Sequence, residues 1–176
     1  MPDWKSQIRN QLVPLSSATE KDLEAVTKQL GRPVRDIVAI AARCACGNPI
    51  VVQTKPRLDD GTPFPTVYYL TLPAATSAVS TLEAEGLMNK LQEQLAEDEV
   101  LAKNYLSAHQ SYLSDREQLG SVEEIEGISA GGMPTRVKCL HSLVAHSLAK
   151  GPGVNMIGDL ALEACSWSPS RCVCEK

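Results

Sequence analysis

The chain is poor in rings and in histidine: two Trp, four Tyr and one Phe among 176 residues, with three His. A core this short of aromatics has to be filled by Leu, Ile, Val and Ala, which favours helices over a β-sandwich. An excess of positive charge is also lacking. Seventeen basic side chains stand against 21 acidic ones, a net charge of -4, so there is no electrostatic footprint for duplex nucleic acid. Long hydrophobic runs are missing too. The longest stretch without a charge, Gly61 to Leu82, holds Pro63, Pro65, Pro73 and seven Ser or Thr, which excludes a bilayer span. The first thirty residues carry Asp3, Lys5, Arg9, Glu20, Lys21, Asp22 and Glu24 and offer no signal-peptide core. The expectation is a cytoplasmic protein without a membrane partner.

What the chain does have is six Cys. In a reducing compartment, closely spaced Cys point to metal or redox chemistry more than to a disulfide framework. Three disulfides would require an export route, and the residues show none.

The remaining pattern predicts an α+β domain, a small three-stranded antiparallel sheet packed against four or five helices. Residues 1–16 read as a flexible leader, 17–165 as one globular domain and 166–176 as an irregular tail. Ser17 to Glu20 has the form of a capping box, and Leu23, Val26 and Leu30 give the first helical stripe, stopped at Gly31 and Pro33. Ile37–Ala42, Ile50–Thr54 and Val67–Leu72 are short, apolar and partly β-branched, as strands are. Leucines from Leu82 to Leu95, then Leu101, Tyr105, Ala108, Tyr112 and Leu113, mark long helices with a break at Gly86. Val137, Leu140, Val144 and Leu148 mark another, ended by Gly151.

Cys44-Ala-Cys-Gly-Asn-Pro49 joins the first two strands. A turn that brings two thiolates together supplies half of a tetrahedral zinc site. Only one residue separates the two Cys, where two or more are usual, and the alternative is a pair of small residues at a turn. Cys139, His141 and His146 offer the other half, with Cys139 the preferred third ligand and either His the fourth. On a regular helix, Cys139 and His141 point to nearly opposite sides. Cys139 and His146 share a face but stand about 10 Å apart along the axis. The competing account is a buried Cys and two hydrogen-bonded His. Cys172-Val-Cys174 fits either a metal or an exposed redox-labile pair, and Cys165 has no evident role.

The segment Gly127 to Lys138 is rich in glycine. Pro134 is expected to open a helix, and backbone amides there, with Arg136, Lys138 and Arg57, would suit a small anionic ligand such as a phosphate group. The spacing matches neither the phosphate loop nor the dinucleotide fingerprint. A plain connecting loop is the competing account. Lys55 and Arg43 would add positive charge if the loops converge. His109 could serve as a general base or a further ligand, though a packed helix-surface His is simpler. Asp59, Asp60 and Asp159 read as turn carboxylates. No nucleophile stands at a diagnostic spacing from a base, so whether the chain is an enzyme stays open. The two readings are a structural zinc site and, as alternative, an enzyme acting on a phosphorylated small molecule.

Several motifs occur together in one order: Arg43 to Pro49, Pro56 to Thr66, Tyr69 to Thr71, Gly127 to Pro134, Arg136 to His141, Val144 to His146 and Gly151 to Asn155. In this order they closely resemble the family called domain of unknown function 501, from about Asp22 to about Asp159. The resemblance implies a small bacterial-type cytoplasmic protein and supplies no established activity. Relatives often carry Cys at the position of Leu72, so the resemblance also implies that this chain has one candidate thiolate fewer.

Overall fold

The computed structural model describes residues 15–174. Most of the expected leader, residues 1–14, lies outside the described residues. Its last residue and the next form a short strand, β1 (Ser16–Ser17), which pairs with β2 (Ile37–Arg43). With β3 (Pro49–Thr54) and β4 (Tyr68–Leu70) they make an antiparallel sheet in the order β1-β2-β3-β4. The sheet thus has four strands rather than three. The added one is too short to show a period-two pattern in sequence.

Among the described residues six α-helices surround the sheet: α1 (Glu20–Leu30), α2 (Pro73–Ala84), α3 (Leu87–Glu97), α4 (Glu99–Glu117), α5 (Leu140–Lys150) and α6 (Met156–Ala164). This is an α+β fold with more helix than the four or five expected. No described helix is long and apolar enough to cross a membrane.

Strand alternation sorts the core into two faces. Ile40 pairs with Val52 across β2 and β3, and both pack with Val26 of α1 on one side of the sheet. Val51 pairs with Leu70, and both turn to the larger core on the other side. Strand β3 is covered on both faces, and all six of its residues are buried. Helix α5 packs on β4, β3 and β2 from the large-core side. Its Leu140, Leu143, Val144 and Leu148 are at most 3% exposed.

Local chemistry sets most element ends. Helix α1 starts at a capping box made by Thr19 and Asp22 rather than by Ser17 and Glu20, because Ser17 is engaged in β1. It stops at Gly31, whose φ of 66° is left-handed. Pro73 occupies the first turn of α2, where its missing N–H costs nothing. Asp98 caps α4 through the amides of Val100 (2.8 Å) and Leu101 (3.0 Å).

The late part of the chain departs from expectation. Pro134 does not open a helix; α5 begins only at Leu140, with Cys139 as its extended cap residue (φ -149°, ψ 107°). The preceding backbone finds tertiary partners instead of helical ones. Gln92 accepts from the Val137 amide (2.9 Å) and donates to the Thr135 carbonyl (3.2 Å), and the Tyr105 hydroxyl donates to the Arg136 carbonyl (2.8 Å). Asp159 is also not a loop residue. It lies in the first turn of α6, where its carboxylate accepts from the Gly153 amide (2.7 Å).

Helices α5 and α6 approach with no side chain between them at one point. A Cβ at Gly158 would fall inside contact distance of the Leu143 carbonyl and the Ser147 hydroxyl. Only glycine fits there.

Candidate metal centres

The turn between β2 and β3 is closed by Cys44 N–H to the Asn48 carbonyl and by Gly47 N–H to the Cys44 carbonyl, both 2.8 Å. Gly47 has φ 92°, a left-handed conformation that glycine adopts without strain. Arg43, next to the turn, donates to the Gly47 carbonyl (3.0 Å) and forks onto Asp22 of α1 at 2.6 and 2.9 Å. Turn and helix are thereby locked together.

Against this turn lies the tail. Trp167 is buried, and a short turn at Ser168–Arg171 redirects the chain through the Arg171 amide to the Ser168 carbonyl (3.1 Å). Cys172 and Cys174 follow. The Sγ atoms of Cys44, Cys46, Cys172 and Cys174 all lie within 4.8 Å of one another. A tetrahedral zinc with Zn–S near 2.3 Å requires sulfurs about 3.8 Å apart, so a small inward movement suffices. The four cysteines can therefore bind a metal ion. Cys44 is buried, Cys46 and Cys172 are exposed and Cys174 is half-buried. Burial pushes the Cys44 thiol up to about 12. The Cys174 amide and the Cys44 and Cys46 thiols bring Cys172 down to about 7. Four clustered thiols cannot all lose their protons unless a cation offsets the charge.

The structure divides the expected ligand set. Cys44 and Cys46 meet Cys172 and Cys174, whereas Cys139 and His141 meet Glu83 of α2, with one donor atom from each within 4.8 Å of the others. The expectation that Cys139 and His141 diverge assumed a regular helix through both. Cys139 is instead the extended cap residue, which turns its sulfur back toward the first turn. Glu83 Oε1 accepts from the Leu140 amide (2.7 Å) and lies 3.2 Å from His141 Nδ1. His141 Nε2 lies 3.2 Å from both the Thr76 carbonyl and the Ser80 hydroxyl. The Cys139 sulfur and then the Glu83 carboxylate raise the imidazole to about 9, against the effect of burial. Burial pushes the Cys139 thiol up, but hydrogen bonds from His141 and Ser142 outweigh it and leave it below its ordinary value.

His146 joins neither cluster. It is fully buried, stacked on Tyr68 with ring centroids 5.9 Å apart and edge-on to Tyr112 at 5.1 Å. Its Nδ1 is 3.2 Å from the Asn155 amide nitrogen. Burial lowers it to about 4, so it is a neutral core residue at physiological pH. His109 is held through Nδ1 by the Ser129 hydroxyl at 2.8 Å.

Most of the cations considered for an anion are engaged by carboxylates. Arg57 pairs with Glu124 at 2.6 Å and donates to the Gly61 carbonyl at 2.8 Å. Arg43 is bound by Asp22, and Lys55 by Asp59 (2.6 Å) and Asp36 (3.7 Å). Arg136 and Lys138 are exposed on the loop before α5. Two glycines of that loop serve packing: a Cβ at Gly131 would meet Leu143 Cδ2 at 2.6 Å, and one at Gly132 would meet the Arg136 carbonyl. A separate cavity of about 470 Å³ opens beside α1, between Leu30, Arg35, Phe64 and Tyr69. It contains none of the cysteines.

Glu83 is the residue the sequence did not point to; a lone Glu in a helix carries no signal of its own. Cys172 and Cys174 did carry one, since Cys172-Val-Cys174 repeats the spacing of Cys44-Ala-Cys46.

No characterised protein and no solved structure matches the chain. The pattern described as protein of unknown function (DUF501) matches residues 40–163. That stretch covers the end of β2 and all of β3 beside the first Cys pair, Glu83, Cys139 and His141, and most of the chain with them; the protein belongs to the DUF501 family.

Proposed function

We propose that the protein is a cytoplasmic zinc protein in which Cys44, Cys46, Cys172 and Cys174 hold one structural Zn²⁺. The observation that carries this reading is the convergence of four sulfurs from two Cys-x-Cys segments within 4.8 Å. Four thiolates fill a tetrahedral shell and leave no open position, which is the form of structural rather than catalytic zinc. The ion would clamp the β2–β3 turn to the tail and offset the charge of the thiolates. Binding free energy would then add to folding free energy.

Metal analysis of the purified full chain tests this. The expected result is zinc that falls by one equivalent in the Cys172→Ser, Cys174→Ser double variant, together with a lower melting temperature. Unchanged zinc content in that variant, or a disulfide among these four cysteines in protein kept reduced throughout, would overturn it. The anion-site enzyme has less support, because Arg57 is already neutralised by Glu124 and only Arg136 and Lys138 remain on the loop.

A further inference from the structure

We propose that Glu83, Cys139 and His141 form a second metal site, open to solvent, which takes a zinc-class divalent ion and keeps one position for water or an anionic ligand. This inference does not rest on the four-cysteine site.

Three donors of different kinds meet here from two elements, Glu83 near the end of α2 and Cys139 with His141 at the start of α5. Each has a second partner that fixes it. His141 Nε2 is positioned to donate to the Thr76 carbonyl (3.2 Å), which leaves Nδ1 as the ring atom facing Glu83. A metal-binding imidazole is oriented in this way, its far N–H held by a carbonyl. The Leu140 amide donates to Glu83 Oε1 (2.7 Å), and the Ser142 hydroxyl donates to Cys139 Sγ (3.6 Å). In the metal-free site a proton on His141 holds the carboxylate and the sulfur together; a divalent ion takes the place of that proton and engages all three donors at once. A divalent ion leaves the site neutral, because thiolate and carboxylate each supply one negative charge.

The arrangement differs from a thiol–imidazole pair built for covalent catalysis. There the acid holds one ring nitrogen and the nucleophile the other. Here Nε2 faces a backbone carbonyl, and the carboxylate lies at Nδ1. Mixed sulfur, nitrogen and oxygen donors suit zinc and its neighbours rather than calcium or magnesium. Three protein ligands, with the His141 and Glu83 side chains 28% and 24% exposed, leave room for a fourth, exchangeable one.

Cobalt(II) titration of the metal-stripped, reduced full chain tests the inference through its visible and charge-transfer absorption. Two equivalents are expected for the wild-type chain and one for His141→Gln, with unchanged far-UV circular dichroism. The cobalt band that His141→Gln removes should carry the intensity of one thiolate, about a quarter of that at a four-thiolate site. Added azide should perturb that band and leave the other unaltered. The Cys172→Ser, Cys174→Ser variant should keep the one-thiolate band. If wild type and His141→Gln bind cobalt equally, the second site does not exist, and the four-cysteine reading survives. If the only equivalent bound is the one His141→Gln removes, this proposal stands and the four-cysteine reading fails. A one-thiolate band indifferent to azide would overturn the open position.

Discussion

Removing the Asp22 carboxylate should cost far more than a surface ion pair. Its side chain is only 8% exposed and that of Arg43 only 22%. The carboxylate accepts from both guanidinium nitrogens, at 2.6 and 2.9 Å, and from the amide and hydroxyl of Thr19, at 3.0 and 2.9 Å. Hydrogen bonds to charged groups contribute about 1.5–3 kcal/mol each when buried, and partial exposure of Arg43 lowers that figure. The two bonds from Thr19, the reciprocal half of the capping box, account for about 1 kcal/mol of the loss. For Asp22→Ala a loss of about 3 kcal/mol follows, and about 2 kcal/mol for Asp22→Asn, which keeps the shape. The acid dependence provides a second check. The Arg43 guanidinium holds the Asp22 carboxyl well below the usual carboxylate range, against the effect of burial. A depressed carboxyl contributes stability in full at neutral pH, and that contribution declines as pH falls below about 5 through the folded value. Urea unfolding followed by circular dichroism, repeated from pH 7 to pH 2, measures the gap between wild type and Asp22→Asn. The gap should be constant from pH 7 to 5 and shrink steadily below. A gap under about 0.5 kcal/mol at pH 7, or one that does not shrink in acid, would refute the reasoning.

Two further outcomes follow from buried positions. Gly158→Ala should lower stability by about 3 kcal/mol or more, because the new methyl meets the backbone of α5, which cannot yield as a side chain can; a higher melting temperature, as helix propensity alone favours by about 1 kcal/mol, would disprove it. His146 is held neutral by burial, its value lowered from 6.5 to about 4, so wild-type stability should fall as pH drops from about 6.5 towards 4, and His146→Gln should lack that part of the slope in calorimetric scans.

Strands β2 to β4 and the helices before Gly120 were legible because their patterns are local. Leu101, Tyr105, Ala108 and Tyr112 repeat at helical spacing and line one buried stripe of α4. The next position of that stripe shows where local reading stops. Arg116 is only 4% exposed and donates to the carbonyls of Pro65, Ile125 and Ile128, which no pattern of apolar residues announces. The candidate ligands were legible by residue type, and their grouping was not. Whether Cys44 meets Cys139 or Cys174 depends on where α5 and the tail pack, a tertiary matter. Whether Cys139 and His141 can share a metal turned on one helix boundary. Starting the helix at Pro134 rotates both residues to opposite sides, and starting it at Leu140 brings them together. A cap residue and a residue in the first turn obey different geometry.

The contact at Gly158 bears on precision. Where backbone meets backbone, no rotamer can absorb a small displacement, so α5 and α6 shift as one body or not at all. Leu143, which provides that contact, lies one turn after Cys139 on the element that carries His141. The placement of two of the three mixed donors is therefore constrained by a glycine on the neighbouring helix as well as by their own hydrogen-bond partners. Substitutions along the face of α6 should reach the donor cluster as changes in ligand angle before they register as loss of the fold.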